Sequence, residues 1–209
     1  MDVTKEEMIE NQLIRRGIKD PDVLQAMREI DRELFIPEEM RDKAYYDGPL
    51  PIGKGQTISQ PYIVAYMAQE LKLKPDDIVL EIGTGCGYNA AVMSKLVSHV
   101  YSIEVIEWLA EYAKENLETA GIENISTRWG DGYKGWPEEA PFDAIILTAA
   151  PPAIPEPLKE QLKIGGRLLA PVGVTRQSLN LLTRTGKDTF IEKELILVSF
   201  VPMTGRAQQ

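Results

Sequence analysis

Residues 78–88 read IVLEIGTGCGY. Four apolar side chains and Glu81 run directly into three glycines at alternating positions, Gly83, Gly85 and Gly87. A short apolar run bounded by glycines predicts a buried strand followed by a sharp turn. Glycine lets the chain fold back tightly and lets a ligand approach the backbone, with the first N–H groups of the next helix close by. The spacing is GxGxG, one position short of the dinucleotide pattern GxGxxG, and no Gly-Lys-Ser/Thr follows to cradle a triphosphate. Phosphate-bearing ligands are therefore disfavoured. Taken alone, three alternating glycines also have a lesser reading as a tight structural turn.

Downstream, four more apolar runs alternate with helical or turn segments: HVYSIEV (99–105), ISTRWGD (125–131), FDAIILTAA (142–150) and GRLLAPVG (166–173). That alternation predicts a parallel sheet covered by helices. The intervening YNAAVMSKLV and EWLAEYAKENLETAG are rich in helix formers, with Gly121 suited to end the second. After Gly173 the runs SLNLLTRTG and DTFIEKELILVSFVPM flank Thr185-Gly186-Lys187-Asp188, which predicts a closing antiparallel hairpin. Upstream, Met8, Ile9, Gln12 and Leu13, then Val23, Leu24, Met27 and Ile30, predict two amphipathic helices. Gly17 ends the first; Asp20-Pro21 starts the second as N-cap and first-turn proline. Residues 45–60, YYDGPLPIGKGQTISQ, read as loop with short extended pieces, and Pro61 opens a further helix to Leu71.

The carboxylates supply the chemistry. Glu104 lies 21 positions after Gly83, at a strand end, placed to accept both hydroxyl protons of a ribose. Asp131-Gly132 would reach the same sheet edge, where the Asp can accept from an adenine amino group; an ordinary Asp-Gly turn is the alternative. Glu81 is read as pointing to that edge too, facing an amino or cationic group. Several carboxylates around one crevice suit an adenosyl sulfonium with an amino-acid tail better than a pyrophosphate.

Composition narrows the remaining possibilities. The chain has 209 residues, 44% apolar and 26% charged, enough for one compact domain with a sizeable core. A net charge of −9 without a basic patch argues against nucleic acid. The acidic start lacks the order of a secretion signal, and no apolar stretch reaches membrane-spanning length, so a cytoplasmic protein without a membrane partner is expected. With Cys86 and His99 each alone of their kind, no disulfide and no thiolate or imidazole metal cage can form.

VLEIGTGCGY resembles motif I of the class I S-adenosylmethionine-dependent methyltransferases, and FDAIILTAA resembles their fourth-strand motif. With PLPIGKGQTISQPYIVAYM (49–67), TAAPPAIPEPLKEQLKIGGRLLAPVG (148–173) and VSFVPMTG (198–205), the chain resembles the protein-L-isoaspartate (D-aspartate) O-methyltransferase family from about Asp2 to Gly205. The resemblance implies an α/β, Rossmann-like methyltransferase fold: a mostly parallel twisted sheet flanked by helices, with an N-terminal helical extension, a C-terminal antiparallel hairpin and an unusual order of the final strands. Within a single domain, 1–60 would form the helices and substrate loop, 61–175 the cofactor core and 176–209 the hairpin.

It also implies methyl transfer from S-adenosyl-L-methionine to the free carboxyl of L-isoaspartyl residues, with D-aspartyl residues as a further acceptor, in damaged proteins and peptides, leaving S-adenosyl-L-homocysteine. The ester then closes to a succinimide and reopens partly as normal aspartate. Ser59 falls at the active-site position; Thr57, Ile58, Gln60, Val201 and Pro202 at the substrate side; Glu81, Gly83, Thr84, Gly85, Gly87, Glu104, Asp131 and Gly132 at the cofactor. No metal and a monomer are expected. Cys86 replaces a frequent serine, and Gln60 and Tyr62 follow the bacterial-like form.

A carboxylate is already ionised at neutral pH, so the reaction needs no general base, and His99 is read as structural. In an extended segment Thr57 and Ser59 project to one face, where two hydroxyl donors can hold a carboxylate without damping its attack as a bidentate Arg would. The alternative is that they cap the helix opening at Pro61. Another methyltransferase, acting on RNA or on a small molecule, remains open at this point.

Overall fold

The computed structural model describes residues 3–208. Thr4 caps a short helix, α1 (Lys5–Met8), which continues with π winding over Ile9–Leu13 and ends at Gly17 in the left-handed region. The expected uniform α-helix is thus underwound, with a wider turn, in its middle. Met8, Ile9 and Leu13 are buried there together with Gln12, whose Nε2 donates to the Tyr45 carbonyl at 2.9 Å. Helix α2 (Pro21–Glu29) starts as read: the Asp20 carboxylate accepts the N–H groups of Asp22 and Val23. Strands β1 (Leu50–Gly53) and β2 (Gln56–Ile58) form a small antiparallel hairpin leading to α3 (Pro61–Leu71).

The main sheet contains β3 (Ile78–Ile82), β4 (His99–Glu104), β5 (Ile125–Trp129), β6 (Phe142–Leu147), β7 (Leu162–Val172), β8 (Gln177–Arg184) and β9 (Phe190–Val198), in the spatial order β5-β4-β3-β6-β7-β8-β9. The first five pair with one another in parallel, and β7, β8 and β9 form an antiparallel meander in chain order. Helices α4 (Tyr88–Ser94) and α5 (Glu107–Thr119) make the crossovers β3–β4 and β4–β5. The crossover from β6 to β7 holds only α6 (Glu156–Glu160).

The pleat sorts β3 onto two cores. Val79 packs with α2, α3 and α4, whereas Leu80 and Ile82 pack on the other face with Ile103, Ile145 and Leu168. Each such side chain is almost wholly buried, worth about 1.5–3 kcal/mol apiece on transfer from water. By the same two-residue period Glu81 shares the face of Val79, beneath α4. Parallel strands put all five C-terminal ends along one edge, and the order reverses between β3 and β6, where an open α/β sheet leaves a crevice.

Candidate active site

That crevice is present. Its walls are the turn Gly83–Cys86, the end of β4 with Val105 and Ile106, Leu109 of α5, the β2 segment Gln56–Ser59, and the C-terminal residues Val201, Met203 and Thr204. It encloses about 790 Å³ of space between the atoms, the open solvent at its mouth included. A second groove runs between Pro49, Gln60 and Ile63 on one side and Leu197–Val201 on the other. The two cavities share four residues: Thr57, Ser59, Thr148 and Val201.

The crevice floor is held by hydrogen bonds between strand ends. Gly83 and Thr84 donate their N–H groups to the Ile103 carbonyl at 2.8 and 3.3 Å. Glu104 Oε2 accepts the Gly85 N–H at 2.8 Å and Oε1 accepts the Ile106 N–H at 2.9 Å. Burial pushes the Glu104 carboxyl above its ordinary value, against which these backbone donors act. Each oxygen keeps a lone pair after its single backbone bond. A nearly buried carboxylate with two free acceptor positions fits a vicinal diol, and the apolar Ile106 and Leu109 beside it fit a flat ring. The residues present therefore suit an adenosyl ligand.

Of the residues singled out from sequence, Thr57, Ile58, Ser59, Gly83, Thr84, Gly85, Glu104, Gly132 and Val201 all line the crevice, and Gln60 lines the groove. Four do not face either cavity. Glu81 has no exposed surface: Asn89 Nδ2 donates to its Oε1 at 2.7 Å and Ser102 Oγ donates to its Oε2. The reading that it points to the edge is corrected by the pleat, which turns it under α4. Gly87 caps α4 at φ 92°, and a Cβ there would lie 3.2 Å from Leu117 Cγ, so this glycine permits close packing against α5. Asp131 accepts the Tyr133 N–H at 2.9 Å and the Arg206 N–H at 3.0 Å, fastening the C-terminal strap. Pro202 is exposed and bridges to Ala150, with Val201 and Met203 pointing inward instead.

Neither Thr57 nor Ser59 caps α3. Its N-cap is Gln60, without a side-chain bond, and the Gln60 amide instead donates to Asp47 at 2.6 Å. Thr148, Asn89, Ile106 and Leu109 were missed. Thr148 directly follows β6, and position at the carboxyl end of a central parallel strand was the signal that could have found it. Its Oγ1 donates to the Gly83 carbonyl at 2.5 Å. Cys86 also lines the crevice, but burial pushes its thiol up to about 11, which keeps it protonated and unreactive. His99 is far from this chemistry, its Nε2 bonded to Ser126 Oγ at 2.9 Å. Among the described residues no cluster of His, Cys, Asp or Glu could hold a metal ion.

The switch-point crevice, its glycine turn, the strand-end carboxylate and the antiparallel meander define an S-adenosylmethionine-dependent methyltransferase. The family model of protein-L-isoaspartate(D-aspartate) O-methyltransferase matches residues 3–208. The chain belongs to that family. A Pelobacter propionicus protein-L-isoaspartate O-methyltransferase 2 is 54% identical over 203 residues, covering 96% of this chain and 90% of the relative. A Synechococcus protein-L-isoaspartate O-methyltransferase is 51% identical over 207 residues, covering 95% and 84%. Among solved structures, a Plasmodium falciparum protein-L-isoaspartate O-methyltransferase in complex with S-adenosyl-L-homocysteine superposes with a TM-score of 0.85 at 29% identity, covering 98% of this chain and 99% of that one.

Proposed function

We propose that the chain methylates the free carboxyl of L-isoaspartyl residues in damaged proteins and peptides, with the crevice holding the adenosyl cofactor and the outer groove the peptide. The observation that carries this reading is the junction of the two cavities at Thr57 and Ser59, where two hydroxyls stand between the cofactor space and an open groove. S-adenosyl-L-methionine, when bound, supplies a methyl group on a sulfonium whose sulfur leaves with the bonding pair, giving the methyl ester and S-adenosyl-L-homocysteine.

This chain's part is to bind, orient and exclude water. Glu104 accepts the ribose hydroxyls; the backbone of Gly83–Gly85 and Gly132 borders the rest of the cofactor. Ser59 donates to the acceptor carboxylate and aims one oxygen at the crevice, while Thr57 shapes the pocket beside it. The carboxylate arrives ionised, so no side chain has to remove a proton. Alignment of the two reactants can supply about 7–11 kcal/mol at best. The groove side, Leu197–Val201 and Gln60, offers backbone groups to an extended peptide, which gives tolerance of flanking sequence.

The protein carries a net charge of −9, so recognition of an anionic carboxyl relies on these local donors rather than on long-range attraction. We also infer that the chain acts as a cytoplasmic monomer without a nucleic-acid partner; among the described residues no helix is long and apolar enough to cross a membrane. D-aspartyl sites are a second acceptor class for the same groove.

Incubation with methyl-labelled cofactor and an isoaspartyl peptide, beside its aspartyl twin, tests the reading. Label in the isoaspartyl peptide alone is expected. Label in both peptides, or in neither, overturns it.

A further inference from the structure

We infer that Gln177 is a positioning residue for the acceptor peptide: its side-chain amide takes the place of a missing strand beside Phe200 and keeps the Leu197–Val201 wall of the outer groove in shape before a peptide arrives. The inference rests on that groove being the peptide site.

The topology puts Gln177 where this can happen. β7 ends at Val172 on the crevice edge of the sheet, the chain turns back through residues 173–176, and Gln177 opens β8 opposite Val198, the last residue of β9. Gly173 permits the turn, because its φ is 127° and a Cβ there would lie 2.1 Å from the Arg176 carbonyl oxygen. The Gly173 N–H donates to the Pro151 carbonyl at 3.0 Å, which ties the turn to the segment after β6.

Two residues beyond the end of β9, Phe200 has left the ladder. Gln177 supplies both halves of the lost pairing: its Oε1 accepts the Phe200 N–H at 2.6 Å and its Nε2 donates to the Phe200 carbonyl at 3.1 Å. The orientation of the amide is fixed by the pair, since the backbone N–H needs the oxygen and the carbonyl needs the nitrogen. Val201 and Met203 are held by a different partner. The Val201 carbonyl accepts the Ala150 N–H at 2.9 Å, and the Met203 N–H donates to the Ala150 carbonyl at 2.8 Å. Successive residues of an extended segment turn their backbone groups to opposite sides, so Gln177 and Ala150 grip the strap from its two flanks.

Gln177 lines neither cavity, so it acts only through this wall. Phe200 and Val201 line the groove, and Val201 reaches the junction with Thr57 and Ser59. A wall already held in place costs little ordering when a peptide binds, whereas a loose one is ordered at the expense of affinity. Once peptide and wall are together, the reacting groups stand as before. The crevice end of the strap is fastened separately, by Ala150 on Met203 and by Asp131 on the Arg206 N–H, which leaves the cofactor side independent of Gln177.

Steady-state kinetics on an isoaspartyl peptide at saturating S-adenosyl-L-methionine tests the inference. Gln177→Met keeps the length of the side chain and removes both bonds; peptide KM should rise about tenfold, with kcat and the calorimetric affinity for S-adenosyl-L-homocysteine each held within about twofold. Gln177→Glu keeps the acceptor for the Phe200 N–H and loses the donor, so its KM should rise by about threefold, and it carries the same comparison should the first variant fold poorly. Hydrogen exchange at the Phe200 amide should be faster in Gln177→Met than in the wild type and should slow when peptide is added. Unchanged KM in both variants, a fall in kcat at unchanged KM, or equal losses of peptide and cofactor binding would overturn the inference. A wild-type protein that methylates no isoaspartyl peptide would instead overturn the reading of the groove itself.

Discussion

Glu104 at the end of β4 accepts the backbone N–H of Gly85, 2.8 Å away in the turn that follows β3, so the carboxylate and the glycine turn hold each other in place. The same group is assigned the ribose hydroxyls, which makes it both a structural and a binding residue. Glu104→Gln keeps the shape but aims an amide N–H at a backbone donor. Hydrogen bonds to a charged group are worth about 1.5–3 kcal/mol, so S-adenosyl-L-homocysteine should bind at least about tenfold more weakly, as measured by calorimetry. Unchanged affinity would remove Glu104 from the site.

Ser59 is predicted to matter for turnover and not for the cofactor. Ser59→Ala should lower turnover per folded enzyme by more than about threefold, with S-adenosyl-L-homocysteine affinity held within about twofold. A smaller fall in turnover would show that the hydroxyl does not orient the acceptor.

Gly87 separates packing from binding. Because it sits at φ 92° and its Cβ would press on Leu117, Gly87→Ala should destabilise the fold by about 1–3 kcal/mol, read as a lower urea midpoint with an unchanged slope. Cofactor affinity in the folded variant should change much less than in Glu104→Gln. A stable variant that has lost binding would put Gly87 back among the ligand-facing residues.

The buried Glu81 carboxyl has a pH signature. Its folded pKa, about 7, lies above the ordinary glutamate value because burial disfavours the charged form. The stability linked to this group is therefore complete below about pH 4.3 and is lost as pH rises through about 7. Urea unfolding from pH 4.5 to 8 should show wild-type stability declining relative to Glu81→Gln across that window. Parallel curves would mean that the carboxyl does not titrate there.

Much of the fold is legible in the sequence because single local signals decide it. Asp20-Pro21, Gly17 and Pro61 bound helices by capping chemistry and fixed backbone angles, and the five apolar runs reach strand length between glycines and turns. Glu81 shows the limit. Alternation along β3 places it with Val79 rather than Leu80, yet nothing in IVLEI says which of the two buried faces lies toward the crevice. Asp131 depends on a contact between residues more than 70 positions apart, the Arg206 N–H on its carboxylate, and Pro202 on its bridge to Ala150, neither of which a local pattern records. Arg32 is likewise silent in sequence: it is fully buried, donates from Nε to the Ala44 carbonyl at 2.8 Å, and stands 5.0 Å from the ring centre of Tyr88, which lines the crevice.

The central claim is that cofactor and peptide meet at the threonine–serine pair. A crystal structure with S-adenosyl-L-homocysteine and an isoaspartyl peptide tests it most directly. The ribose should lie on Glu104, and the free α-carboxylate of the isoaspartyl residue should lie within about 3 Å of Ser59 Oγ. A peptide bound away from the groove, or a ribose held elsewhere than at Glu104, would contradict the account.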